Sequence, residues 1–184
     1  MKRFVDILSS LIGLLCLLPL FSLISLVILL DNFGPVFYKQ QRVGLNGKLF
    51  GMYKFRSMRV DADKVGPYFT SKDDPRMTRA GKWLRRTSID ELPQLINVLF
   101  GQMSIVGPRP NVMKQKELYS EINWVKRNSV PPGITGLAQA TRRSAATAKE
   151  RDALDLEYVD RSSLSLDLKI IVMTIKQILS KGGN

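Results

Sequence analysis

At 184 residues the chain is long enough for one modest core and an appendage, and it contains no histidine, which excludes a Ser-His-Asp triad, a Cys-His dyad and any imidazole metal site. Lys and Arg number 28 against 16 Asp and Glu, a net charge of +12, so the expected partner is anionic. The single cysteine, Cys16, excludes an internal disulfide or a thiolate metal cluster and fits a reducing compartment.

The predicted elements begin with a run from Phe4 to Leu30 that is apolar apart from Asp6, serines, Gly13 and Pro19. As a helix it would measure about 40 Å, more than the roughly 30 Å of bilayer hydrocarbon. No small-residue cleavage site precedes Asp31, so the run reads as a retained membrane element and not as a signal peptide. Lys2 and Arg3 precede it, and Lys39, Arg42, Lys48, Lys54 and Arg56 follow. Positive residues favour the cytoplasmic side, and a single span would carry one of these groups across. Pro19 removes the bond to the Leu15 carbonyl, so a re-entrant helix that breaks there and leaves on the same face satisfies both flanks. A spanning helix that tolerates its proline is the alternative. The chain thus divides into a membrane helix, 1–30, and a cytosolic-face domain, 31–184, in which any catalytic residues are to be sought.

Val36 to Val43 reads as a strand, Asn46-Gly47 as a turn and Leu49 to Met58 as the return strand of a β-hairpin. Lys54 and Arg56 alternate with Tyr53 and Phe55, which would place two cations on one strand face. Asp61 to Arg79, with Asp73-Asp74-Pro75-Arg76, reads as a polar surface loop. Helix is expected from about Gly81 to Phe100 with an interruption near Ser88. A short buried strand from Gly101 to Val106 should end in Gly107-Pro108-Arg109-Pro110, whose prolines exclude a helix interior. Asn111 to Asn128 predicts one amphipathic helix carrying Trp124, and Pro131 to Gly136 a rigid turn. Glu150 to Asp160 and Leu164 to Lys181 predict two further helices. The last is apolar with Lys169, Lys176 and Lys181, a composition suited to a bilayer interface or to packing on the core. The fold class is α/β, mainly helical: a re-entrant N-terminal membrane helix, a β-hairpin and interfacial amphipathic helices around a small globular core.

Without histidine, catalysis must run on carboxylates, Lys and Arg, with a hard metal ion as the natural helper. Asp90 and Glu91 lie in Arg85-Arg86-Thr87-Ser88-Ile89-Asp90-Glu91-Leu92-Pro93 and admit two readings. One is a capping box, with Ser88 as N-cap and Glu91 three residues on, although Pro93 would then remove a donor at the fifth helical position. The other is a catalytic pair. Arg85 and Arg86 lie within about two helical turns of Asp90, so cations and carboxylates can converge on a phosphorylated substrate; an exposed ion-pair cluster is the plainer account. Arg109, fixed between two prolines, saves ordering entropy when it binds a phosphate. Arg142 and Arg143 follow a Gly-rich turn and form another candidate anion site.

Taken in order, these segments resemble the monotopic bacterial phosphoglycosyl transferases over nearly the whole chain. The resemblance rests on the proline-containing N-terminal helix, Tyr53-Lys54-Phe55-Arg56-Ser57-Met58, Asp74-Pro75-Arg76 and Leu84 to Leu95. Met103 to Pro110 and Pro132-Gly133-Ile134-Thr135-Gly136 extend it. It implies transfer of a sugar 1-phosphate from a UDP-sugar to polyprenyl (undecaprenyl) phosphate with release of UMP, initiating glycan assembly. It also implies Mg²⁺, a re-entrant helix, a bacterial inner membrane rich in anionic lipid, and an active site on its cytoplasmic face. By the same resemblance Asp90 is the nucleophile that forms a covalent aspartyl-phosphosugar, Glu91 supports metal binding with it, and Lys54, Arg85, Arg109 and Arg143 contact substrate. Two departures bear on sugar identity: Gln102 stands where the family usually has aspartate, and Thr141-Arg142-Arg143-Ser144 replaces a Gly-Arg-Asn stretch. The competing expectations are a lipid-dependent transferase in which the lipid phosphate attacks directly, and a membrane-tethered basic adaptor without activity. Nucleic acid is not expected, because no recognisable binding module appears.

Overall fold

A computed structural model describes residues 1–62, 64–66, 74–141 and 147–181. The chain opens with α1, Lys2–Asp31, a single helix of 30 residues. It does not leave helical geometry at Pro19, so any change of direction there is a bend within a helix and not an interruption. One lost backbone bond is tolerated because the surrounding turns keep theirs, while Ser22 and Ser25 donate to the carbonyls of Leu18 and Phe21 one turn back.

One face of α1 is buried along its length by Asp6, Ser10, Phe21, Ile24 and Ile28. Phe21, Ile24 and Ile28 pack with Phe55 and Leu84, and the Phe21 and Phe55 rings meet edge to face with centroids 5.0 Å apart. The remaining faces expose Leu8, Leu15, Leu23, Leu26 and Leu30, and the helix is long and apolar enough to cross a membrane. Both of its ends are bonded to the body. Lys2 donates to Val106 O, Arg3 to Val98 O and Leu99 O, and the Asp6 carboxylate accepts from Ser104 Oγ and Ile105 N. At the far end Asp31 Oδ2 accepts from Ala80 N at 2.8 Å.

Strands β1, Phe37–Val43, and β2, Leu49–Phe55, form the expected antiparallel hairpin, closed by a left-handed Asn46 and Gly47. β2 ends at Phe55, three residues early. Arg56 therefore does not share a strand face with Lys54; it turns to the C-terminal end of α1 and donates to Asn32 O and Phe33 O. A cation there complements the negative end of the helix. Helix α2, Arg79–Thr87, is capped by Thr78 and Asp31, and α3 covers Gln94–Leu99. A second, parallel pair joins β3, Ser104–Val106, to β4, Gly133–Thr135. β4 replaces the rigid turn expected at Pro131 to Gly136: only its two prolines lack donors, and the residues after them are free to pair. The long helix expected from Asn111 to Asn128 is also divided. A 3-10 segment, Met113–Leu118, gives way at an extended Tyr119 to α4, Glu121–Arg127, because Ser120 caps the new helix by accepting from Asn123 N. Helices α5, Leu137–Thr141, α6, Ala148–Arg161, and α7, Leu164–Lys181, complete the body around Val106, Ala140, Tyr158 and Ile170.

Candidate active site

Between α2 and α3 lies a 3-10 turn, Ile89–Glu91, that carries both candidate carboxylates. Ser88 is left-handed at φ 59° and makes no side-chain cap bond, so the capping-box reading fails. Ser88 ends α2 by bonding back to the Arg85 and Leu84 carbonyls, and Glu91 is free to point elsewhere. It points into a cluster drawn from three distant segments. Glu91 Oε1 accepts from Lys54 Nζ at 2.7 Å and from Arg109 Nη2 at 2.7 Å, with Arg109 Nη1 3.4 Å from Oε2.

The electrostatics of the two neighbours diverge. Burial pushes the Glu91 carboxyl up, but the opposing charges and hydrogen bonds of Arg109 and Lys54 outweigh it and hold the group well below the usual carboxylate range. Glu91 in turn holds Arg109 above its ordinary value, while burial and then Arg109 lower Lys54 against the pull of Glu91. Asp90 is 5% exposed, and no donor among the described residues hydrogen-bonds its carboxylate. Burial pushes it up to about 6; Lys54 opposes that shift, Glu91 adds to it, and Arg85 and Arg109 oppose it. One carboxylate is therefore fixed as a permanent anion. The other accepts no hydrogen bond from the described residues, and burial holds it raised.

The approach of Arg85 depends on Gly81. A Cβ there would lie 1.9 Å from Ser57 O, so only glycine lets α2 rest on that backbone. Arg85 Nε can then donate to Ser57 Oγ at 2.9 Å. Arg86, its neighbour, is exposed to solvent. Asp74 is buried, contrary to the surface loop expected there. It pairs with Arg76, whose hydrogen bond holds the Asp74 carboxyl down at about 2. Arg142 and Arg143 lie outside the described residues.

Two further residues belong to the site and escaped the reading of the sequence. In the hairpin register Tyr38 faces Lys54, so Tyr38, Gln40 and Arg42 line the same side of β1. Arg42 donates to Gln40 Oε1 and to Pro110 O, has no ion-pair partner among the described residues, and is lowered to about 10 by burial and then by Arg109, against the pull of Glu91. Strand alternation carried that signal, but Arg42 reads from sequence as one more basic flank of the membrane helix. Asn97, fully buried on α3, accepts from Tyr53 N at 2.9 Å and donates to Gly51 O at 2.8 Å and to Gln102 Oε1 at 2.7 Å. It fixes the strand that bears Lys54 to the helix that follows Glu91, and Gln102 occupies its last donor. A polar residue among Leu95, Ile96, Val98 and Leu99 was its only trace in the sequence.

A family model described as bacterial sugar transferase matches residues 1–181. The chain belongs to the bacterial sugar transferase family. The chain is 46% identical to the exopolysaccharide production protein PSS of Rhizobium leguminosarum bv. phaseoli, with 99% of this chain and 96% of the relative covered. It is 47% identical to an undecaprenyl-phosphate glucose phosphotransferase of Komagataeibacter xylinus, over 96% of this chain and 35% of the relative. It is 43% identical to a UDP-glucose:undecaprenyl-phosphate glucose-1-phosphate transferase of Escherichia coli, over 95% of this chain and 39% of the relative. The chain thus spans little more than a third of the length of the last two.

Among the described residues no three His, Cys, Asp or Glu side chains come together. Among the described residues of this cluster, a divalent cation would find Asp90 and the more weakly bonded Oε2 of Glu91. That donor set suits Mg²⁺, which usually takes one or two protein carboxylates and completes its shell from substrate phosphates and water.

Proposed function

We propose that this sugar transferase moves a sugar 1-phosphate from a UDP-sugar to undecaprenyl phosphate, through a covalent intermediate on Asp90. The observation that carries the reading is the contrast within the carboxylate pair: Glu91 locked between Lys54 and Arg109, Asp90 buried and unbonded. A buried carboxylate that has lost its water and gained no donor is a strong nucleophile held in place. One Asp90 oxygen attacks the phosphorus that bears the sugar. The bond to the bridging oxygen breaks, and UMP departs with that electron pair. An oxygen of the acceptor phosphate then attacks the same phosphorus and returns Asp90 to its carboxylate. Both nucleophiles are anions and both leaving groups are stable anions, so neither step needs a base, which suits a chain without histidine. Lys54, Arg85, Arg109 and Arg42 would hold and partly neutralise the diphosphate. Asp90 and Glu91 would hold Mg²⁺, and its charge would add to the neutralisation of the diphosphate.

The enzyme mixed with a UDP-sugar and Mg²⁺, without acceptor, should release up to one UMP per active site. It should also add a sugar-phosphate mass to the peptide containing Asp90. UDP-glucose is the first donor to try, since relatives are named for it. UMP release that requires undecaprenyl phosphate, with no trapped adduct, would favour direct attack by the lipid. Turnover should also fall as pH drops, because protonated Asp90 has no nucleophilic oxygen; burial places that fall near 6 without metal, and Mg²⁺ held by the same carboxylate would move it lower. A fall whose position does not respond to Mg²⁺ would show that another group limits the reaction.

We further propose that α1 enters and leaves the cytoplasmic face of the inner membrane. Support comes from both helix ends being bonded to the body that carries the site. Exposed apolar residues on α4 (Ile122, Val125) and α7 (Leu168, Val172, Ile175) suit the same anionic interface. With Cys16 replaced by Ser, a cysteine placed before Met1 and another at Lys48 should react with an impermeant maleimide from the same side of oriented vesicles. Labelling from opposite sides would establish a span.

A further inference from the structure

Arg109 stands in a segment that cannot hold itself through its own amides. Pro108 and Pro110 lack the amide hydrogen, and the backbone from 108 to 111 is fixed by its carbonyls. Each of the four accepts a hydrogen bond. Pro108 O takes one from Gly133 N at 2.9 Å, and Arg109 O takes one from Arg127 Nη2 at 2.6 Å. Pro110 O takes one from Arg42 Nη1 at 3.0 Å, and Asn111 O takes one from Val43 N at 2.8 Å.

Arg127 differs from the other three donors. Its side chain is 3% exposed, and it donates through Nε at 3.0 Å and Nη2 at 2.7 Å to Asp155 Oδ2, on a side chain 4% exposed. Burying two charges costs about as much as their attraction returns, so such a pair adds little net stability. Asp155 Oδ1 has no partner among the described residues, and burial keeps the carboxyl raised despite Arg127. A pair so poorly suited to stabilising the fold nevertheless aims its remaining bond at the backbone of the residue that grips Glu91.

We propose that the Arg127–Asp155 pair positions Arg109 for the transfer reaction, with α4 and α6 setting the Arg109 carbonyl and so the direction of its guanidinium. Both are positioning residues, and the assignment rests on the phosphate-transfer reading above.

The test replaces the pair with apolar residues of similar size, Arg127→Met with Asp155→Leu. The double variant should melt in detergent at or above the wild-type temperature. Its acceptor-free UMP release, with the UDP-sugar that the wild type turns over, should be at least tenfold slower, with a raised KM for that donor. Amide exchange at Gly133 and Val43, which bond the neighbouring carbonyls, should accelerate, and this readout is independent of catalysis. A folded double variant with wild-type release overturns the proposal, and so does slowed release with unchanged exchange. If the double variant does not fold, Arg127→Lys serves instead, keeping the charge opposite Asp155 without the planar fork that reaches both partners. The same pair of outcomes then decides. If the wild type itself releases no UMP, the reaction reading has failed, and unchanged exchange still overturns the positioning role.

Discussion

Asp90→Asn should reduce transfer by at least about three orders of magnitude while the protein folds and binds membrane normally. Asparagine keeps the size of the side chain and removes the oxygen anion that would attack phosphorus. The stability consequence has the opposite sign. A folded-state value of about 6 lies above the ordinary 3.8, so the native protein favours protonated Asp90, and ionisation at neutral pH works against folding. That stabilisation is fully present below the unfolded value and is lost as pH rises through about 6. At pH 7 the Asn variant should therefore melt no lower than wild type, and slightly higher. Loss of activity together with a lowered melting temperature would mean that Asp90 serves the fold and not the chemistry.

Glu91→Gln should lose both activity and stability. Glu91 is the shared anion between Lys54 and Arg109, with side-chain exposures of 13%, 15% and 43%. Neutralising it leaves two cations facing each other in a partly closed site. Removing one partner of a buried pair costs about 3 kcal/mol at the lower end of the usual range, and the half-open Arg109 argues for that lower end. The rate should fall roughly a hundredfold or more, as for other losses of a preorganised charge. Adding Lys54→Met should restore part of the stability and none of the activity. Denaturant unfolding and UMP release on the single and double variants give both numbers. A Glu91→Gln protein as stable as wild type would show that the cations do not depend on it.

The contrast between these carboxylates could not be read from the sequence. Adjacent Asp and Glu after Arg85 are visible there, and so is the interruption at Ser88, but local spacing left a capping box equally open. What decides is the positive φ of Ser88 and the arrival of Lys54 and Arg109 from 37 residues before and 18 residues after Glu91. The hairpin was legible because Asn46-Gly47 fixes its register. The apolar helix α1 was legible because few polar residues interrupt residues 4–30, but its continuity through Pro19 was not. The division of residues 111–128 at Ser120 and the pairing of β4 with β3 depend on partners far along the chain, and no periodicity reports such partners. Arg56 illustrates the limit best: two residues from Lys54, it serves a helix end and not the site.

The burial of one face of α1 against Phe55 and Leu84 makes this long apolar helix a wall of the hydrophobic core. Phe21, Ile24 and Ile28 each contribute about 2 kcal/mol by leaving solvent for that interface. A chain cut after residue 30 would not become a soluble enzyme. It would present the groove that these three side chains fill, together with the Val98 and Leu99 carbonyls stripped of the Arg3 guanidinium, and would aggregate. Residues 2–31 therefore belong to the fold in their own right, whatever attachment to lipid they also provide.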